Sequence, residues 1–291
     1  MILSVVIITY NEEANIGRTL ASVQPLVADG KGEIVVVDSG STDRTVEIAK
    51  SFGARVFLEE WKGYAAQKNS AIDKATGDWI LSLDADEEVG PDLAAALENH
   101  EVVSSVNPAE HAHNWCLTME QASAGSRKID KIMGPPVGYW ISRKNHFLGR
   151  WIKHGGFWPD PKLRIFRRGA GTFENRAVHE DVRLSGPTSS LRGSLLHHSY
   201  PTLADYIDHM NRYSSLGAEM AAAKGHRGFS LFNIVLRPFA TFIYNYLFRL
   251  GFLDGREGLL LHLYHSVYVS WKYAKAWEIA RKKESKVGMP A

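Results

Sequence analysis

Two aspartates, Asp84 and Asp86, follow a short apolar run at residues 79–83, and two glutamates come directly after them. The run lies between Gly77 and Gly90, which predicts a buried strand that carries both aspartates to the edge of a sheet. Residues two apart on an extended chain point the same way, so both carboxylates can face one point. Such like charges need a cation or a proton between them, and their oxygens suit Mg²⁺ or Mn²⁺. The alternative is an acidic surface turn, which for an isolated Asp-x-Asp is the better interpretation.

Polar clusters also follow two earlier apolar runs. The sequence Thr-Tyr-Asn-Glu occupies residues 9–12, and Asp-Ser-Gly-Ser-Thr-Asp occupies residues 38–43. Helical spacing over residues 13–27, 42–52 and 64–75 separates the runs, which predicts a mostly parallel sheet with helices on both faces. Ligands of such sheets bind beyond the carboxyl ends of the strands, so the three clusters are expected to share one site.

The composition limits the classes of function. The 291 residues are 45% hydrophobic and 23% charged, as in a globular protein, and the net charge of +2 gives no case for nucleic acid. One cysteine excludes an intrachain disulfide and fits a reducing compartment. We interpret residues 2–8 as a core strand and not a signal peptide, and no stretch of about 20 residues is apolar enough to predict a membrane-spanning helix.

The turn after the first strand narrows the choice of ligand. It has neither the glycine pattern of dinucleotide-binding proteins nor a Walker-type phosphate loop. Its hydroxyls, amides and carboxylates suit hydrogen bonds to a nucleoside instead.

The order and spacing of these motifs resemble glycosyltransferase family 2, whose fold is GT-A. The matching pieces are VVIITYNEE at 5–13, VVVDSGSTDRT at 35–45, QKN at 67–69, GDW at 77–79 and DADE at 84–87. Later pieces resemble the branch of glucosyltransferases that build the lipopolysaccharide core. They are GGFWPD at 155–160, LRIFRR at 163–168, VHE at 178–180, HHSY at 197–200 and GFLDG at 251–255.

The resemblance implies an inverting, metal-dependent transfer of a hexose from a UDP-hexose, with UDP-glucose as the expected donor. It also implies a role for each matched residue. Thr9, Asn11 and Glu12 line the nucleoside pocket, Asp38 binds uracil or ribose, Lys68 approaches the pyrophosphate, Asp84 contacts the ribose and the metal-bound assembly, Asp86 binds the Mg²⁺ or Mn²⁺ ion, and Glu180 is the catalytic base.

Several of these residues have simpler explanations. Asn11 could simply end the strand in a turn, without binding a nucleoside. Asp38 and Ser41 could cap the helix that begins near Asp43, a role that can coexist with nucleotide binding. Lys68 could be an ordinary solvated charge on a helix.

The base and the third metal ligand each have two candidates. Glu180 and Asp181 are adjacent, and the resemblance favours Glu180 as the base, with Asp181 second. Many GT-A enzymes add a histidine to the metal shell, and His197 fits that position better than His198. Two histidines that pack at the end of a strand are the alternative.

An acceptor site is expected around residues 158–164. Trp158, Asp160 and Arg164 resemble its parts, since aromatic rings stack on sugars and arginine pairs with carboxylates or phosphates. The lipopolysaccharide inner core is anionic, so the basic residues of 143–153 could extend this surface or form an ordinary exposed loop.

The chain is predicted to divide into a GT-A domain at residues 1–225 and an amphipathic helical region at 226–291. Aromatic residues and flanking lysines and arginines predict that the second region lies in a membrane interface. The membrane-bound acceptor that the resemblance implies places the protein in the cytoplasm, on the cytoplasmic face of the inner membrane. A helical hairpin packed on the catalytic domain, or the interface of a homo-oligomer, is the alternative. Alternative functions are glycosyl transfer to another surface polysaccharide or glycolipid, and a catalytically silent scaffold that binds nucleotide sugars at the membrane.

Overall fold

The computed structural model describes residues 2–99, 102–104, 135–174, 182–226 and 228–287, and the chain forms two compact units. The first unit contains residues 1–143 and 160–197. The second contains residues 144–159 and 198–291.

Strands and helices alternate along the first hundred residues, as the sequence predicts. In order they are β1 (Leu3–Thr9), α1 (Ile16–Val27), β2 (Gly32–Asp38), α2 (Thr45–Ser51), β3 (Arg55–Leu58), α3 (Tyr64–Asp73), β4 (Trp79–Asp84), β5 (Glu87–Val89) and α4 (Pro91–Asn99). β1 pairs in parallel with β2 and β4, and β2 pairs in parallel with β3. The predicted α/β class, with helices flanking the sheet and a helical C-terminal region, is confirmed.

Antiparallel strands extend this sheet. They are β6 (Val102–Ser104), β7 (Gly138–Phe147), β8 (Arg150–Trp151), β9 (Pro161–Arg167) and β12 (Thr188–Tyr200), while β10 (Gly171–Phe173) and β11 (Val182–Leu184) form a separate pair. The strands of the main sheet are hydrogen-bonded in the order β3-β2-β1-β4-β9-β7-β12-β5. In addition, β6 pairs with β12 and β8 pairs with β7. The sequence did not predict β7 or β12, because polar and aromatic residues mix along both and neither shows a clean two-residue alternation.

The core of the first unit lies on both faces of the parallel strands. Val5 and Ile7 of β1 pack with α1, whereas Val6, between them, packs on the other face with Ala71 and Ile72 of α3. Successive residues of a strand point to opposite faces, which explains why these strands are apolar throughout. Each fully buried aliphatic side chain contributes about 1.5–3 kcal/mol to folding.

The second unit is mostly helical beyond residue 200. Its helices are α5 (Leu203–Ala223), α6 (Arg237–Ile243), which has π-helical turns on either side at Phe232–Leu236 and Tyr244–Phe248, and α7 (Gly255–Val287). A capping box between Thr202 and Asp205 starts α5. Ala218 and Ala222 of α5 pack with Ala276 of α7. None of the described helices is long and apolar enough to cross a membrane.

The division into units bears on the predicted domains. Contacts place α5 and residues 144–159 with the C-terminal helices. The predicted domains are divided by function, with the GT-A domain at residues 1–225 and the helical region at 226–291. That division stays a prediction.

Candidate functional site

The register of the parallel strands brings the polar clusters to one edge of the sheet. Thr9, at the end of β1, pairs with Asp38 of β2, and Ile8 pairs with Asp84 of β4. The carboxyl ends of the three strands are therefore level, and their polar residues converge as the strand pattern predicts.

Asp38 is buried and accepts four hydrogen bonds. Its Oδ1 accepts the N–H groups of Gly40 at 3.0 Å and Ser41 at 2.8 Å, and its Oδ2 accepts the hydroxyls of Thr9 at 2.8 Å and Ser41 at 2.5 Å. The carboxylate thus fixes the loop that follows β2. Asp38 does not cap α2, so that alternative is wrong.

The start of α2 is held by another aspartate. Asp43 Oδ1 accepts the N–H of Thr45 at 3.0 Å and its hydroxyl at 2.5 Å. These hydrogen bonds lower the pKa of Asp43 against the opposing effect of desolvation.

Asn11 joins the loops that follow β1 and β2. Its N–H donates to Ser41 Oγ at 2.8 Å, and its Oδ1 accepts the N–H of Thr42 at 2.8 Å. Its φ of 55° lies in the left-handed region, which asparagine tolerates better than most residues. Asn11 therefore ends the strand in a turn, as the simpler explanation has it, and also fixes the loop that Asp38 closes.

Glu12 lies within the electrostatic field of the Asp-x-Asp motif. Burial raises the pKa of Glu12, and the charges of Asp86 and Asp84 raise it further, against a hydrogen bond from Asn15. The Asn15 amide donates to Glu12 Oε2 at 2.9 Å. A cation among these carboxylates would relieve the repulsion that raises this pKa.

Asp84 lies between two cations. Lys68 Nζ is 2.9 Å from its Oδ1, and Arg164 Nη2 is 2.5 Å from its Oδ2. Burial opposes the charged form of Asp84, but Arg164 and Lys68 outweigh it and hold the pKa well below its usual range. Lys68 is only 6% exposed, so its interpretation as a solvated surface charge is wrong.

These contacts continue into a longer series of opposite charges. Arg164 Nη2 also donates to Glu87 Oε1 at 2.6 Å, which Arg143 Nη1 approaches at 3.0 Å. Arg143 in turn lies 2.8 Å from Asp160 Oδ2, and Lys162 lies 3.0 Å from Asp160 Oδ1. We call this series the ion-pair chain: Lys68, Asp84, Arg164, Glu87, Arg143, Asp160 and Lys162.

The ion-pair chain gives each buried charge more than one counter-charge. Glu87 is completely buried and Arg164 is 6% exposed, so either one alone would carry a large desolvation cost. The carboxylates raise the pKa of Arg164 against the effect of burial. Two residues predicted for the acceptor site, Asp160 and Arg164, therefore support Asp84 and its turn.

Asp86 faces His197. The distance between Asp86 Oδ2 and His197 Nε2 is 3.3 Å, and β12 carries His197 opposite Glu87 of β5. Burial raises the pKa of Asp86, but the hydrogen bond and charge of His197 outweigh it, so the pKa lies below its usual value.

This pair supplies the donor types that a divalent cation requires. A carboxylate oxygen and an imidazole nitrogen both bind Mn²⁺, and such ions often complete their shell with water and substrate phosphates. Among the residues that the structure describes, no group of three or more His, Cys, Asp and Glu side chains is arranged to hold a metal. The residues fit a cation whose remaining ligands come from a bound diphosphate and water.

Three other residues of the predicted site remain: Trp158, Glu180 and Asp181. Trp158 belongs to the second unit, where its ring meets Trp151 edge-on at 5.2 Å and Lys153 lies 4.5 Å from the centre of the Trp151 ring. Glu180 and Asp181 lie outside the described residues, so the choice of base stays a prediction.

Sequence reasoning missed Glu87 as the centre of the buried charges. It stands in the same acidic cluster as Asp84 and Asp86, but nothing in its spacing distinguishes it from the neighbouring Glu88. The pattern of β5 offers the only signal, since Glu87 and Val89 share the buried face of a short strand.

Known proteins similar to this chain include enzymes that transfer sugars. The model of Glycosyl transferase family 2 matches residues 4–168. The lipopolysaccharide core biosynthesis glycosyltransferase LpsC of Rhizobium meliloti is 28% identical over 95% of this chain and 92% of its own length. An uncharacterized glycosyltransferase of Rickettsia typhi is also 28% identical, over 96% of this chain and 88% of its own.

The similarity to solved structures covers a smaller part of the chain. The glucosyl-3-phosphoglycerate synthase of Mycobacterium tuberculosis, in complex with Mn²⁺, uridine diphosphate and glucosyl-3-phosphoglycerate, matches 29% of this chain and 33% of its own at 33% identity. The TM-score of this match is 0.27.

Proposed function

The chain belongs to glycosyltransferase family 2, and we propose that this glycosyltransferase moves glucose from UDP-glucose to an inner-core heptose of lipopolysaccharide or a related glycolipid. The observation that carries the proposal is the level edge of β1, β2 and β4, where Thr9, Asp38 and Asp84 converge. The similarity to LpsC along most of both chains supports a lipopolysaccharide acceptor.

The nucleoside would bind at the loops that follow β1 and β2. Asn11, Thr9 and Glu12 offer amide, hydroxyl and carboxylate groups there, and Asp38 keeps the second loop in shape through its four hydrogen bonds. We assign Asp38 this positioning role together with a contact to uracil or ribose, which requires one of its present hydrogen bonds to be exchanged.

Positive charge for the diphosphate would come from Lys68, with Asp84 orienting it. The 2.9 Å contact between Lys68 Nζ and Asp84 Oδ1 keeps the ammonium group at the carboxyl edge of the sheet. Arg164 pairs with both Asp84 and Glu87, so we propose that it serves by holding these two carboxylates and not by contact with an acceptor.

Asp86 and His197 would hold Mg²⁺ or Mn²⁺. Such an ion, when bound, would neutralise charge on the departing diphosphate. The short distance between the two side chains supports this assignment, because one ion could contact both an oxygen of Asp86 and a nitrogen of His197.

The chemistry requires one displacement. The bond between the anomeric carbon and the phosphate oxygen breaks as the acceptor oxygen forms its bond on the opposite side, which inverts the configuration. The acceptor hydroxyl gives its proton to a carboxylate, for which we propose Glu180, with Asp181 as the second candidate. Asp160 would face the acceptor. For Trp158, stacking of the indole on a sugar ring stays a separate prediction from the sequence.

A glycolipid acceptor would place the enzyme at the cytoplasmic face of the inner membrane, where UDP-sugars are available. A panel of nucleotide sugars tests the proposal: release of the free nucleotide is measured with each donor and Mn²⁺ or Mg²⁺, with and without a heptose-terminated core acceptor. We expect UDP-glucose to give the largest acceptor-dependent release.

Each result of the panel has a distinct meaning. Faster release with another donor or with a polysaccharide acceptor would contradict the proposed substrates but keep the family reaction. Tight binding of UDP-glucose with no release under any condition would contradict catalysis and support a silent scaffold.

A further inference from the structure

An unusual concentration of exposed apolar side chains marks the C-terminal part of the second unit. Of the 22 exposed large apolar side chains in the described part of the chain, 14 lie within the short stretch from Phe229 to Leu263. We call the residues at its centre the apolar surface: Phe232, Val235, Leu236, Phe239, Leu247 and Phe248, which are 47–74% exposed. Soluble proteins rarely leave so many large apolar groups together in water, so this surface needs a partner.

The apolar surface belongs to an ordered segment and not to a loose tail. The carbonyl of Ile234 accepts a hydrogen bond from Ser270 of α7 at 2.8 Å, and Arg237 contacts both Asn233 and Tyr273. Phe232, Val235, Leu236 and Phe239 stand at positions i, i+3, i+4 and i+7, the spacing of one helix face, and all four are more than half exposed. The polar contacts therefore point toward α7 while an apolar face points outward.

Charge identifies the kind of partner. Between Glu219 and Asp254 the sequence has no acidic residue, yet it carries Lys224, Arg237 and Arg249, all exposed. An apolar face bordered by cations and free of carboxylates matches a membrane surface with anionic headgroups.

The same charges argue against a second copy of the chain. A two-fold contact would place this segment against itself, with Arg237 and Arg249 facing like charges and no acid between 220 and 253 to pair with them. The described helices are also unsuited to crossing a bilayer.

We propose that the apolar surface docks on anionic lipid, with Phe239 and Phe248 inserted between headgroups. The proposal does not depend on the identity of the donor or the acceptor sugar. It concerns a binding surface of the second unit.

Vesicle sedimentation of the full-length protein tests the docking without any donor. One set of vesicles contains equal parts of phosphatidylcholine and phosphatidylglycerol, and the other contains phosphatidylcholine alone. We expect strong sedimentation with the anionic vesicles, little with the neutral ones, and weaker binding as salt is raised. Equal sedimentation with both, independent of salt, would overturn the role of charge and with it the proposal.

Substitutions locate the surface. Phe239→Ser combined with Phe248→Ser should weaken binding to the anionic vesicles about tenfold or more, because two rings no longer insert. Leu216→Ser on α5, which is 40% exposed, is the control and should leave binding unchanged. Both residues of the double variant are already exposed, so thermal unfolding should match the wild type. Truncation is less suitable, because removing α7 would uncover Ala218 and Ala222.

Two further results would overturn the proposal. One is unchanged vesicle binding by the folded double variant. The other is a wild-type dimer in lipid-free solution that the double substitution converts to a monomer, since the surface would then be covered by a second copy. Hydrolysis of UDP-glucose in solution should be the same for wild type and double variant, which separates this test from that of the donor.

Discussion

Glu87 holds the backbone of Asp84: its Oε2 accepts the Asp84 N–H at 3.0 Å, although the Glu87 side chain is completely buried. Its other oxygen accepts from Arg164 and Arg143. One carboxylate thus fixes both the turn that presents Asp84 and Asp86 and the arginine that pairs with Asp84. The shape of the proposed donor site depends on a residue that cannot itself reach a donor.

Replacing Glu87 tests this dependence. Glu87→Gln keeps the shape but removes the charge, which leaves Arg143 and Arg164 with less compensation. Loss of one partner from a buried ion pair costs about 3–5 kcal/mol, so denaturant unfolding should show a loss of that order. Glu88→Gln is the matched control, because Glu88 pairs with the half-exposed Arg18 and should cost at most about 1 kcal/mol. Similar losses for both variants would contradict a central role for Glu87.

The pair of Asp86 and His197 predicts metal-dependent nucleotide binding. Asp86→Asn and His197→Ala should each weaken binding of UDP in the presence of Mn²⁺ by about 10–100-fold, as measured by calorimetric titration. Binding of UDP without metal should change little, since the nucleoside loops stay intact.

Asp29→Asn is the control for that measurement, because Asp29 lies in an exposed turn with a φ of 55°, which asparagine also adopts. If the Asp86 and His197 variants bound Mn²⁺ and UDP as the wild type does, the metal would have to lie elsewhere.

The catalytic base can be assigned by two isosteric substitutions. Glu180→Gln should lower kcat by about 10²–10⁴-fold while the dissociation constant of UDP-glucose stays near that of the wild type, because the proton acceptor is lost and donor contacts remain. Asp181→Asn should have a much smaller effect on kcat. The reverse ranking would make Asp181 the base.

Glu33 predicts a stability that depends on acid pH. It accepts hydrogen bonds from the hydroxyls of Ser4 at 2.8 Å and Thr76 at 2.8 Å and from the Thr76 N–H at 2.5 Å, and it also pairs with Arg55. Desolvation opposes the charged form, but these contacts outweigh it and lower the pKa of Glu33 to about 2.

Because the folded pKa of Glu33 is depressed, its contribution is complete above the unfolded pKa near 4.3 and is lost as pH falls toward 2. With allowance for solvent screening, the contribution is about 1–2 kcal/mol. Glu33→Gln should reduce the free energy of unfolding at pH 7 and flatten its decline between about pH 4 and 2. A decline as steep as that of the wild type would show that other carboxyl groups cause it.

The sequence alone determined the family, the alternation of the first strands and helices, and the edge at which polar residues gather. Local periodicity and the rule that parallel strands end at one edge suffice for this. Asp38, Asp84 and Asp86 could be placed at that edge because each stands at or just beyond the end of an apolar strand.

Only the tertiary structure decided which charges meet. Asp84 pairs with Lys68 and Arg164, and Arg164 comes from an antiparallel strand 80 positions later that periodicity does not connect with β4. The sequence assigned Arg164 to an acceptor and overlooked Glu87, because burial and ion pairing depend on which strands become neighbours. That choice is made by packing across the whole sheet, where a buried charge is tolerated only beside its opposite.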